Sequence, residues 1–217
     1  MTGLALEAVS LSVGGRPLFQ PLSLTVAPGM VTTVMGPSGC GKSSLLAFLC
    51  GTLDPAFHAA GRVRVDGEEM TTRPPEERRL GILFQDDLLF PHLSVGGNLA
   101  FALPVGMKRA DRRAEIGAAL DEAGLSGMGD RDPATLSGGQ RTRAALMRTL
   151  LSRPRALLLD EPFARLDAEL KGRMRAFVFD HAGRRGLPIL LVTHDREDAE
   201  AADGPVVALS QPFGQST

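Results

Sequence analysis

Apolar and polar residues alternate along the first third of the chain, then give way to a three- and four-residue spacing in the middle. LALEAVSLSV (4–13), PLSLTV (21–26) and MVTTVM (30–35) read as strands, with a Pro28-Gly29 turn before the third. KSSLLAFLCG (42–51) follows as a helix closed by Gly51. GRVRVDGEEM (61–70) has period two and carries Asp66-Gly67, a hairpin signal, and LGILFQ (80–85) is a short apolar strand. From 87 to 152 the spacing is helical in SVGGNLAFAL, RRAEIGAALDEAGL and GGQRTRAALMRTLLS. Strand and helix then alternate again: RALLLD, AELKGRMRAFVFDHAG, PILLVTH, REDAEAA and PVVAL. The wholly apolar ALLL and ILLV runs suit a parallel sheet covered on both faces.

The pattern predicts one α/β domain over 1–217 with a β-rich core at 1–86 and 153–210. A helical subdomain is inserted at 87–152, and a frayed tail runs over 211–217. With 217 residues, 43 % of them apolar, the chain can bury a proper core. A formal net charge of −1 argues against a broadly basic nucleic-acid surface. The basic run KRADRR (108–113) reads as the solvated start of a helix. No apolar stretch approaches the roughly 18 residues of a membrane span, and no signal peptide is evident. Two cysteines, Cys40 and Cys50, make no disulfide framework, which fits a reducing compartment and a cytosolic setting.

Two glycine-rich helix starts carry the candidate chemistry. In GPSGCGKSS (36–44), Gly36, Gly41, Lys42 and Ser43 complete the phosphate-loop pattern between a strand and a helix. The backbone of Pro37, Ser38, Gly39, Cys40 and Ser44 surrounds a triphosphate in such a loop, with the N–H groups of all but Pro37 as donors. Lys42 reaches its β- and γ-phosphates, and the Ser43 hydroxyl ligates Mg²⁺. ALLLDE (156–161) ends a buried strand on Asp160, aimed at the metal, and on Glu161, placed to polarise an attacking water. Gln85 and His194 also close strands, at the edge where open parallel sheets bind ligands. The second helix start is Ser137-Gly138-Gly139-Gln140, whose bared amides form another anion site. Cys40, at a helix N-terminus, is expected to have a lowered thiol pKa, to react with alkylating agents and to be protected by ATP.

The ordered set GPSGCGKSS, Gln85, LSGGQ, LLLDEP, ARLD (164–167) and THD (193–195) resembles an ABC-type ATPase over nearly the whole chain. It is similar in particular to the nucleotide-binding subunit of a binding-protein-dependent importer. The resemblance implies a P-loop NTPase fold with a mostly parallel sheet, an antiparallel N-terminal part and a helical insertion. It implies ATP and Mg²⁺ as ligands and a head-to-tail homodimer, with ATP held between one copy's phosphate loop and the other's LSGGQ. Ser137, Gly138, Gly139 and Gln140 would then act in trans. Glu161 would be the general base, and His194 would hold the γ-phosphate. Gln85 would contact Mg²⁺ and link the site to the membrane partner, and Asp167 would belong to the loop joining the two sites. Integral permease subunits, and through them a solute-binding protein, are the implied partners, with no nucleic acid. The chain would lie peripherally on the inner face of the membrane, with DLLFPHLSV (87–95) receiving a permease helix.

The pattern also departs from the family. Val13 stands where an adenine-stacking aromatic is usual, and the chain contains no Tyr or Trp, while Phe19 reads as core. Ala164-Arg165 opens the Asp167 loop in place of the usual serine and small residue. The chain stops soon after its last strand, with the expectation that no regulatory domain follows. Two other functions fit the same motifs: a soluble assembly or cell-division ATPase, and an ATP-binding module that does not turn over. Intact Lys42, Asp160, Glu161 and His194 oppose the last.

Overall fold

A computed structural model of the chain describes residues 3–84, 86–164 and 166–210. Two compact units emerge: one of residues up to Ile82, Arg155–Glu161 and from Arg175 onward, the other of Leu83–Pro154 with Pro162–Met174. The KRADRR run and the strand and helix assignments agree with the sequence reading except where stated below.

The first unit carries two sheets. In the antiparallel sheet, β1 (Leu4–Val13) lies between β2 (Arg16–Pro17) and β5 (Phe57–Val65), β6 (Glu68–Glu69) follows β5, and β3 (Leu22–Val26) also pairs with β1. The second sheet has the order β10 (Val206–Ala208), β4 (Val31–Met35), β9 (Ile189–Thr193), β8 (Ala156–Asp160), β7 (Leu80–Leu83). β10, β4, β9 and β8 pair with one another in parallel. Leu157, Leu158, Leu190 and Leu191 are fully buried, as strands covered on both faces require. Between the sheets, α1 (Lys42–Cys50) sets Leu45, Leu46 and Leu49 into a core shared with Leu4, Leu6, Val63, Leu158 and Val192.

Several short features escaped the pattern reading, β2 among them. A one-turn helix, α2 (Pro75–Arg78), precedes β7, and β5 begins at Phe57, four residues before the alternation becomes visible. Arg78 is buried although it faces no carboxylate. Its guanidinium donates to the Phe48 and Leu49 carbonyls (2.7 and 2.8 Å) at the end of α1, and to those of Arg73 and Thr71. These bonds satisfy carbonyls that a helix end leaves open. A Cβ on Gly51 would lie 2.7 Å from this guanidinium, so the glycine both adopts its left-handed φ of 79° and makes room for the arginine.

The second unit is helical: α3 (Val95–Phe101), α4 (Arg109–Glu122), a 3-10 turn at Pro133–Thr135 and α5 (Gly138–Leu151), with the first turns of α6 (Ala168–Arg184). α6 continues into the first unit, where α7 (Arg196–Ala202) follows β9. Buried Asn98 organises the loop before α3. Its amide oxygen accepts from the Phe90 N–H (2.7 Å), and its amide nitrogen donates to the carbonyls of Phe90, Leu93 and Ser94. Among the described residues, no helix is long and apolar enough to cross a membrane.

Candidate functional site

Sheet order assembles the first part of the site. β9 lies between β4 and β8, with Met35 in register with Thr193 and Val192 with Asp160. The segments leaving the carboxyl ends of these strands are the phosphate loop, His194 and Glu161, which therefore converge on one sheet edge.

The phosphate loop is a tight coil closed by a Cys40 N–H to Pro37 carbonyl bond of 3.3 Å. Gly39 and Gly41 both sit at left-handed φ (81° and 97°), and a Cβ on Gly41 would press Leu18 and Phe19 at 3.0 to 3.2 Å. Lys42 opens α1 and is only 5 % exposed. Its ammonium donates to the carbonyls of Gly36 (2.9 Å) and Pro37 (3.0 Å), which fixes a positive charge over the loop. The Ser43 hydroxyl donates to Asp160 Oδ1 at 3.2 Å, joining the two described residues assigned to the metal. Burial pushes the Asp160 carboxyl above its ordinary range. The Ser43 bond opposes that rise, the Glu161 charge adds to it, and Lys42 opposes it. A hydroxyl beside a carboxylate is a hard oxygen donor set, which suits Mg²⁺. Among the described residues, no group of three or more His, Cys, Asp or Glu could hold a metal.

Glu161 turns sharply out of β8 at φ 46°, a left-handed conformation that costs a non-glycine residue on the order of 1–3 kcal/mol. Its N–H donates to the Val192 carbonyl (2.9 Å), holding the turn against β9. The carboxylate then stands 3.6 Å from Lys42 Nζ and 3.1 Å from His194 Nδ1. A lysine, a carboxylate and an imidazole thus meet in one cluster, although they lie far apart in sequence.

The second helix start lies in the other unit. Ser137 caps α5: its hydroxyl accepts from the Gln140 N–H (3.3 Å), and the Gln140 side-chain oxygen accepts from the Ser137 N–H (2.9 Å). The sequence reading missed this capping box, although S-x-x-Q before an apolar run is its signature. Gly139 is needed for packing, since a Cβ there would lie 2.7 Å from the Leu170 side chain. Gly138 is different. Its φ lies outside the left-handed region, and a Cβ would meet nothing nearer than the tip of Arg141 at 4.0 Å. Asp167, assigned to an inter-site loop, accepts from the Leu170 N–H (2.9 Å) at the start of α6.

Other expectations fare differently. Gln85 and Arg165 lie outside the described residues, as does the 211–217 tail. Cys40 is 1 % exposed and packed into the core, so the expectation of a reactive thiol is corrected: burial keeps reagents from the sulfur. A Cβ on Gly36 would lie 2.6 Å from its sulfur, which shows how closely the thiol is packed beneath the loop. Phe19 is 1 % exposed, which makes it core, and Val13 is half-buried opposite Phe57.

Residues 19–164 match the family described as "ABC transporter". The chain is 44 % identical over 208 residues to an uncharacterized ABC transporter ATP-binding protein, YnjD, of Escherichia coli, covering 96 % of this chain and 95 % of that one. It is 39 % identical to the Fe(3+) ions import ATP-binding protein FbpC of Agrobacterium fabrum, covering 94 % of this chain and 58 % of the relative. The protein of the same name from Streptomyces coelicolor is 42 % identical, with 98 % and 61 % covered. The chain thus spans about three fifths of the iron-import relatives' length.

Proposed function

The chain belongs to the ABC transporter family, and from that premise we propose that it works as a head-to-tail pair, powering a permease that imports a small solute. It is an ATP-binding subunit and an ATP hydrolase. In the proposed cycle Lys42 binds the terminal phosphates, and the backbone N–H groups of residues 38–44 cradle the chain of phosphates. Mg²⁺, held by Ser43 and Asp160 and by Gln85, would neutralise phosphate charge. Glu161 accepts the proton of the attacking water, and His194, 3.1 Å from it, orients base and γ-phosphate.

Gly138 carries the proposal of pairing. Among the described residues nothing requires a glycine there, so the bare backbone is explained by an anion brought from outside, to which the first amides of α5 point. The phosphate held by a second copy is the anion in question, with Ser137, Gly139 and Gln140 completing the trans contact. The permease-facing surface is the loop after Gln85. Leu88 is 56 % exposed at a left-handed φ of 45°, Phe101 is 68 % exposed, and the Phe90 and Phe101 rings stand 4.8 Å apart. A permease helix docked there would hold the protein at the inner membrane face, and a solute-binding protein would act through the permease. The relatives named for Fe(3+) import support the importer role. The solute itself contacts other subunits.

The test is Gly138→Ala. Its folding stability is expected to stay within about 1 kcal/mol of the parent. Its ATP turnover should fall about tenfold or more, because a methyl group displaces the incoming phosphate. Unchanged turnover in the folded variant overturns the pairing.

A further inference from the structure

We infer that Asp198, held by Arg175 and acting through Thr193, is the positioning device for His194. This rests on the proposed role of His194 at the γ-phosphate. His194 is 55 % exposed, so packing around the ring does little to hold it. Besides its 3.1 Å contact with Glu161, its direction comes from the backbone on which it stands, and one neighbour, Thr193, is tied to a buried carboxylate and bonds the other, Asp195. The Thr193 hydroxyl donates to Asp198 Oδ2 at 2.8 Å, and the Thr193 Oγ1 itself accepts the Asp195 N–H at 3.0 Å. Asp198 Oδ1 is taken by Arg175, whose Nε donates at 2.7 Å and whose Nη2 lies at 2.5 Å. Carboxylate, hydroxyl and amide form a chain that ends on the residues flanking His194.

The burial of this chain is informative. Arg175 is 8 % exposed, Asp198 2 % and Thr193 1 %. A buried ion pair is often no more stabilising than an apolar pair of the same volume, so fold stability is a poor explanation for it. A charged pair does provide direction, because a carboxylate with both oxygens engaged fixes where the threonine hydroxyl must lie. Arg175 also faces Glu197 (3.4 Å) and Asp195 (3.6 Å), and so balances three acids clustered beside a histidine that must meet an anionic phosphate. α6, β9 and α7 each contribute one member, and all these residues belong to the same compact unit.

The experiment is a mutant cycle with His194→Ala, Asp198→Asn and the double variant, following release of labelled phosphate from ATP. Asp198→Asn is expected to lower kcat between about tenfold and a hundredfold, with KM for ATP changed less than about twofold. In the His194→Ala background the same change should cost less than about twofold, because both lesions act at one point. Thr193→Val, which leaves the ion pair intact, should reproduce the loss of kcat and covers the case in which Asp198→Asn folds poorly. Equal losses in both backgrounds, or full activity in folded Thr193→Val, overturn the inference while leaving His194 in its role. A His194→Ala protein that turns over like the parent overturns that role and the inference with it.

Discussion

Cys40 and Cys50 are withheld from reagents by different physical means. Cys40 is enclosed by the core beneath the phosphate loop. Cys50, the last residue of α1, is half-buried, and burial pushes its thiol up to about 11, against an opposing pull from the Arg78 guanidinium. A thiol reagent at pH 8 is therefore expected to find almost no reactive group in the native protein and both cysteines after denaturation, counted by the released chromophore. Stability should also respond to alkali. The unfolded thiol releases its proton near its ordinary value of 9.0 and the folded one only near 11, so the folded state holds the proton more tightly. That advantage is complete below pH 9 and is lost as pH rises toward 11. Urea unfolding should show this decline, and Cys50→Ala should flatten it. Glu161 has the opposite character. It keeps a strained backbone, held by its N–H bond to Val192, and gains by it an approach to both Lys42 and His194.

Helices and strands show how a few side chains set the ends of elements. Arg78→Met removes the guanidinium's bonds to the Phe48 and Leu49 carbonyls, while Phe48 keeps the Gly51 N–H bond. It should cost about 3 kcal/mol in chemical denaturation, with ATP binding weakened only as far as α1 frays. The apolar runs at 156–159 and 189–192 read directly as parallel strands, because burial on both faces leaves no polar position to confuse the period. The phosphate loop was legible for a related reason: its glycines, lysine and serine are demanded by local backbone geometry. Arg78 and Asn98 were not legible. Arg78 acts on carbonyls about thirty residues away and Asn98 on those of an irregular loop just before it, and a sequence shows side chains without showing which carbonyls lie beside them. Cys40 was misread for a comparable reason. The helix-terminus argument assumes a thiol facing the phosphate side, and the loop's coil turns this one inward.

For the molecule as a whole, the proposed pairing makes every chain a contributor to two composite sites. One chain carrying Lys42→Ala, paired with another carrying Gly138→Ala, would form one site with both lesions and one with neither. Mixed pairs are thus expected to recover up to about half the parental turnover per site, while each variant alone is nearly inactive. Tandem affinity purification of differently tagged chains, followed by an ATPase assay, measures this. Mixtures no more active than their components would exclude a shared site. The fastening of α1 by Arg78 has a mechanical counterpart. The same helix bears Lys42 at its head and has its last carbonyls bolted by a guanidinium at its tail, so it offers the phosphates a rigid seat, an anvil and not a spring.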